Sequence, residues 1–247
     1  MAASPGECQN PCVLRFRRRH PEEPPSFDYE STIGLLVERG LVETDIRFGS
    51  LLADNLAFVR NTIATSFDRR PLIGLHIGNF VGVSLAGFAD AVRNVHRDST
   101  TIAIDPNVIT AGIDNPQQHV IGILDHYQLL GSVLLLSSYS FERTELSGAP
   151  SVDGPLPPSG VNALTQLARL GVRFDVALVD GNHRGSTVSR ELEWLRGRLN
   201  PGAIVFLDDV TDAWNEIRDV FNQLAADTGS GFVAVGHDGR VGALRVV

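Results

Sequence analysis

The chain has 247 residues, 43% of them hydrophobic, and carries 29 acidic and 21 basic side chains for a net charge of −8 at neutral pH. A chain of this size buries a substantial core, while the acidic balance argues against a dedicated nucleic-acid binder, whose footprint is basic. No stretch approaches the roughly 20 apolar residues of a membrane span, and the start MAASPGECQNPC lacks the charged-then-apolar order of a secretory signal.

The two cysteines, Cys8 and Cys12, sit in that polar start and read as reduced thiols of a cytoplasmic protein. All 21 basic residues are arginine, so no Schiff-base or lysine general-base mechanism is open to this chain.

Residues 1–27 read as an arm, with the basic run RFRRRH followed by PEEPPS. Residues 28–70 read as an N-terminal helical segment. Leu51, Leu52, Leu56, Val59 and Ile63 recur at helical spacing and form a stripe that covers a sheet or meets a second copy of the chain. From residue 71 to 247 strand-like and helix-like stretches alternate. PLIGLHI, TTIAID, SVLLLSS, RFDVALVD and AIVFLDD read as strands, with helices between them in VSLAGFADAVRNV, PQQHVIGILDHYQLL, VNALTQLARL and STVSRELEWLRGRL. A further helix, DAWNEIRDVFNQLAAD, precedes GFVAVGHDGRVGALRVV, a hairpin turning at His237-Asp238-Gly239. Alternation with near-continuous apolar strands predicts an α/β fold with a parallel sheet covered on both faces and an antiparallel hairpin at an edge.

Such sheets bind ligands at the carboxyl ends of their strands. The first strand ends in HIGNFVGVS, where Gly78 and Gly82 permit a tight turn and Ser84 opens a helix whose free N–H groups favour an anion. The second ends at Asp105, 23 positions beyond Gly82, near where nucleotide-binding folds place an acid on ribose hydroxyls. The fourth ends in Asp180-Gly181-Asn182-His183 and the fifth in Asp208-Asp209. Three carboxylates at one sheet edge repel unless protonated or neutralised by a cation, and hard oxygen ligands suit Mg²⁺ or a similar divalent ion. Asp105, Asp180 and Asp209 also read as helix caps.

Taken together, HIGNFVGVS, AIDPN, VDGNH and LNPGAIVFLDD resemble the class I S-adenosylmethionine-dependent methyltransferases, and within them the metal-dependent O-methyltransferases of catechol and sugar type. The likeness spans residues 71–247 and implies a Rossmann-like, doubly wound, seven-stranded sheet. It implies that Gly78, Asn79, Phe80 and Gly82 line the methionine end of S-adenosylmethionine, with Ser84 near its carboxylate. It further implies Asp105 on the ribose, Tyr139 and Ser140 beside adenine, and Asp180, Asp208 and Asp209 as ligands of Mg²⁺ or another divalent cation. Two positions depart from the pattern. His76 stands where the family has an acid, and His183 stands three residues after Asp180, where catechol-type relatives carry a lysine base.

The expected chemistry is methyl transfer to a metal-activated hydroxyl with His183 as general base, since an imidazole of reference pKa about 6.5 accepts a proton near neutrality. Asn182 is placed to orient the acceptor. The segment ELSGAPSVDGPLPPSG, which has no aromatic residue, reads as a lid and favours a carbohydrate or oligosaccharide acceptor over a flat phenol; the lysine-free composition and the resemblance to cell-wall-type relatives imply an actinobacterial mannoside or rhamnoside. A homodimer through the N-terminal helices is the expected assembly. The alternatives are a nicotinamide oxidoreductase, disfavoured by the missing G-x-G-x-x-G, and an inert cofactor-binding subunit, prompted by His76.

Overall fold

β-branched and aliphatic runs set the strands. In the computed structural model, which describes residues 24–110, 112–141 and 162–247, these are β1 (Ile73–Ile77), β2 (Thr100–Asp105), β3 (Val133–Ser137), β4 (Phe174–Val179), β5 (Leu199–Leu207), β6 (Phe232–His237) and β7 (Gly242–Val246). They form one sheet in the order β3-β2-β1-β4-β5-β7-β6. β1 to β5 pair in parallel, and β7 runs antiparallel between β5 and β6. The expected doubly wound, mostly parallel seven-stranded sheet is present. The hairpin differs in one respect: its second strand takes the inner place. β7 carries the buried Ala243 and Leu244, whereas β6 is mostly exposed beyond Phe232 and closes the edge.

Eight α-helices flank the sheet among the described residues: α1 (Tyr29–Glu38), α2 (Glu43–Phe48), α3 (Ala53–Ser66), α4 (Val83–Val95), α5 (Pro116–His126), α6 (Ala163–Arg169), α7 (Gly185–Arg196) and α8 (Asn215–Ala226), the last preceded by a 3₁₀ turn at Asp212–Trp214. Local chemistry sets several starts. Asp28 caps α1 by accepting from the Ser31 N–H at 2.8 Å, Asn162 caps α6 by accepting from Thr165, and Pro116 occupies the first turn of α5, where no N–H is needed.

Every residue of β4 is buried, as expected of a central parallel strand. Val176 and Leu178 face a core made with Leu36, Ile46, Val59, Ile63 and Phe88, while Ala177 and Val179 face one made with Leu164, Leu192 and Phe221. The N-terminal stripe therefore covers its own sheet: Leu51, Leu56, Val59 and Ile63 are all buried in the first core. Leu52 departs from the stripe, at 45% exposure, because it precedes α3 in extended backbone and falls out of helical phase. Of the two readings of the stripe, it is the sheet-covering one that the structure shows.

No described helix is long and apolar enough to cross a membrane. The basic arm, both cysteines and the expected lid at 145–160 lie outside the described residues.

Candidate active site

Strand order reverses between β1 and β4, and the chain leaves both strands at the same edge. The register pairs Ile77 with Ile104 and with Val179, and Val179 with Leu207, so Gly78, Asp105, Asp180 and Asp208 follow side by side. Gly78 has φ +92°, and a Cβ there would lie 2.1 Å from the carbonyl oxygen of Asp180. The two strand exits thus touch backbone to backbone, which only glycine permits. Gly82, at φ +100°, precedes α4 with no side-chain cap, leaving the first N–H groups of that helix to a ligand.

Asp105 organises this turn. Its Oδ2 accepts the N–H groups of Asn79 and Phe80, and its Oδ1 accepts that of Asn107. Burial pushes its carboxyl above the ordinary value, against the pull of these three N–H donors. Oδ1, which accepts a single N–H, has lone-pair capacity left, so the expected ribose role and the turn-holding role are compatible.

The acidic cluster lies one and two strands over. Asp208 is 2% exposed, and Asp209 bends away from β5 at φ +57°. Burial, reinforced by the Asp208 charge, pushes the Asp180 carboxyl well above the usual carboxylate range. Asp209 is raised for the same two reasons, with His183 and Arg240 pulling the other way.

Between these carboxylates stands a guanidinium. Arg240 donates from Nε to Asp208 Oδ1 at 2.8 Å and from Nη2 to Asp208 Oδ2 at 2.7 Å; its Nε also lies 3.3 Å from Asp209 Oδ1. On the outer side, His183 Nε2 is 3.2 Å from Asp209 Oδ2, and the imidazole rests 4.6 Å from the Trp214 ring.

Residues 75–210, more than half of the chain, match the family model of a methyltransferase domain. The chain belongs to this methyltransferase family. No curated protein matches the sequence. Solved structures similar to this methyltransferase include the O-methyltransferase TomG from Streptomyces achromogenes, involved in tomaymycin synthesis and bound to SAM (16% identity, 89% of this chain and 88% of that one, TM-score 0.55). An O-methyltransferase from Bacillus cereus in complex with SAH gives 14% identity over 87% and 90%, with TM-score 0.57. The SAH-bound methyltransferase PaMTH1 of Podospora anserina gives 14% over 89% and 87%, with TM-score 0.57. At these identities the likeness is one of fold, and the family leaves no ground for the oxidoreductase alternative.

Several expected residues do converge. Gly78, Asn79, Phe80, Gly82 and Asp105 form one turn, and Asp180, Asp208, Asp209 and His183 one cluster beside it. Tyr139 and Ser140 follow β3 as expected, Tyr139 accepting the Ala163 N–H through its carbonyl at 3.1 Å. Three more side chains have partners inside the protein. The Ser84 hydroxyl is buried and accepts the Leu51 N–H at 2.9 Å, so it anchors the N-terminal segment. Asn182 accepts the Arg184 N–H through Oδ1, closing its own turn. His76 points into the core against Phe88, where burial pushes it down to about 3 and keeps it neutral; its Nδ1 meets Asn79 Oδ1 at 3.2 Å.

The expected divalent-cation site does not fit this donor set. Both Asp208 oxygens accept from Arg240, whose guanidinium stands where an ion would have to sit, and Asp209 is shared between Arg240 and His183. Among the described residues no group of three or more His, Cys, Asp or Glu is arranged to hold an ion.

Sequence reasoning missed Arg240. It lies 32 residues after Asp208, in a hairpin whose place beside β5 is a matter of topology. It also missed Glu216, whose carboxylate accepts the Gly185 N–H at the start of α7 from the next helix along. Glu191, on α7, went unnoticed as well: it is fully buried, and that burial pushes it up to about 7 against a weaker downward pull from Ser140.

Proposed function

We propose that this methyltransferase moves a methyl group from S-adenosylmethionine to a hydroxyl group, with a carbohydrate as acceptor. One observation carries this reading: the glycine turn after β1 and the His183–Asp209 pair after β4 and β5 open on the same sheet edge. The turn and the uncapped start of α4 suit the methionine end of the donor, with Asp105 toward the ribose and Tyr139 and Ser140 toward adenine.

When bound, the donor supplies a methyl group already activated by a sulfonium cation. His183, 40% exposed at its side chain, is the general base. Its Nε2 edge faces Asp209, which holds the ring, and its Nδ1 edge takes the proton of the acceptor hydroxyl as the oxygen–carbon bond forms and the carbon–sulfur bond breaks. Trp214 offers a flat apolar face beside the base on which a sugar ring can rest. The neighbours bound to SAM or SAH support the donor assignment; the aromatic-free segment 145–160 supports a sugar over a phenol.

Calorimetry with S-adenosylmethionine and with NAD tests the donor, and transfer of a labelled methyl group to a panel of glycosides and catechols tests the acceptor. Binding of NAD alone, or transfer only to catechols, overturns the corresponding half of the reading.

A further inference from the structure

We infer that Arg240 is the methyltransferase's own cation, standing where O-methyltransferases of the metal-dependent type bind a divalent ion, so that this protein holds its acidic cluster and orients His183 without metal. This rests on the reading of the cluster as part of the methyl-transfer site, and it goes beyond it by assigning a residue and a metal requirement.

The geometry is specific. The guanidinium meets Asp208 through a two-pronged fork, with both bonds at 2.8 Å or less, and leans on Asp209 at 3.3 Å. Its third nitrogen, Nη1, donates to the Ser50 carbonyl at 3.2 Å, closing the cluster toward the N-terminal segment. Mg²⁺ needs carboxylate oxygens at about 2.0–2.1 Å in octahedral array. Both oxygens of Asp208 are instead aligned on a planar fork, the arrangement arginine makes best.

Arg240 does not reach the cluster by a chance rotamer. Its carbonyl accepts the Val210 N–H at 2.8 Å, which pins its backbone beside the Asp208-Asp209 bend. The hairpin tip is fixed in turn by Asp238. Oδ1 of Asp238 accepts the N–H groups of Arg240 and Val241, and its Oδ2 accepts from Asn55 Nδ2 at 2.9 Å. The arginine side chain is 23% exposed and that of Asp208 1%. Withdrawing the guanidinium to admit an ion would first strip a buried carboxylate of its partner, a costly step.

Arg240 is accordingly a positioning residue: it holds Asp209, and Asp209 holds the base.

The test is Mn²⁺ titration, by paramagnetic resonance and calorimetry, of the chelator-dialysed full chain and of Arg240→Ala and Arg240→Lys. The expected result is no stoichiometric Mn²⁺ binding by the parent chain and unchanged methyl transfer in chelator. Arg240→Ala should gain a Mn²⁺ site at least about tenfold tighter than any in the parent, and its thermal midpoint should rise with added Mg²⁺ while the parent's does not. Arg240→Lys, which keeps the charge, should stay without the site. One Mn²⁺ bound per parent chain and lost in Asp208→Asn overturns the inference, and that measurement needs no variant of Arg240 to fold. S-adenosylmethionine binding is read in parallel: its loss with no Mn²⁺ site fails the methyltransferase site alone, whereas donor binding together with a Mn²⁺ site fails the inference alone.

Discussion

His183 Nε2 lies 3.2 Å from Asp209 Oδ2, and the side chains come from the exits of two adjacent parallel strands. An imidazole held at one nitrogen by a carboxylate presents the other in a set direction. Replacing His183 by Ala should lower kcat by about 100-fold or more, the usual worth of a positioned base. S-adenosylmethionine affinity should be unchanged. Asp209→Asn should lower kcat in the same direction with the donor's KM unmoved. A His183→Ala variant that keeps the parent kcat would give the base role to another group.

Asp208 and Arg240 should behave as one unit in stability. Asp208→Asn strands a partly buried guanidinium and Arg240→Met strands a buried carboxylate, so each single change should cost about 3 kcal/mol. The double variant should cost clearly less than the two singles together. Urea denaturation of the four proteins measures the coupling, and additive losses would show that the two side chains do not act as a pair.

Glu191 makes stability depend on pH. Its folded-state value of about 7 lies above the ordinary 4.5, so the folded chain keeps a proton that the unfolded chain releases. Stability is therefore greatest at low pH as far as this group is concerned, falls as pH rises from about 4.5 to about 7, and levels off above that. The loss is on the order of 3 kcal/mol. Glu191→Gln should remove that slope and raise the thermal midpoint at pH 8, with little effect near pH 5. A variant no more stable than the parent at pH 8 would count against a desolvated carboxyl at this position.

Gly78→Ala and Gly34→Ala should act in opposite directions. At Gly78 the backbone is left-handed and a methyl group would meet the Asp180 carbonyl, so the change should cost at least about 2 kcal/mol and abolish donor binding. Gly34 lies inside α1 with nothing within 4 Å of the place a Cβ would take, so alanine there should stabilise by about 0.5–1 kcal/mol. Thermal midpoints and donor calorimetry of the two variants check both signs.

Much of this methyltransferase is readable in one dimension. Apolar runs and helical spacing are local properties of the chain, so the alternation of strand and helix, the parallel sheet and the glycine turn at Gly78 follow from the residues alone. So does the meeting of Asp180 with Asp208, because parallel strands that neighbour one another must bring their carboxyl ends to one edge.

Tertiary structure decided which side chain stands at that meeting. Three crowded carboxylates favour protonation or a positive charge, and sequence alone does not say whether such a charge comes from solution or from the chain. The answer depends on β7 slipping between β5 and β6, which carries Arg240 to Asp208 across 32 residues of chain. The inner partners of Ser84 and His76 were hidden for a related reason. Whether a polar side chain at a turn faces a ligand or its own core depends on which distant segment packs against it, here the N-terminal helices and the Leu51 N–H. Local pattern follows from neighbours along the chain; the partner of a buried charge follows from neighbours in space.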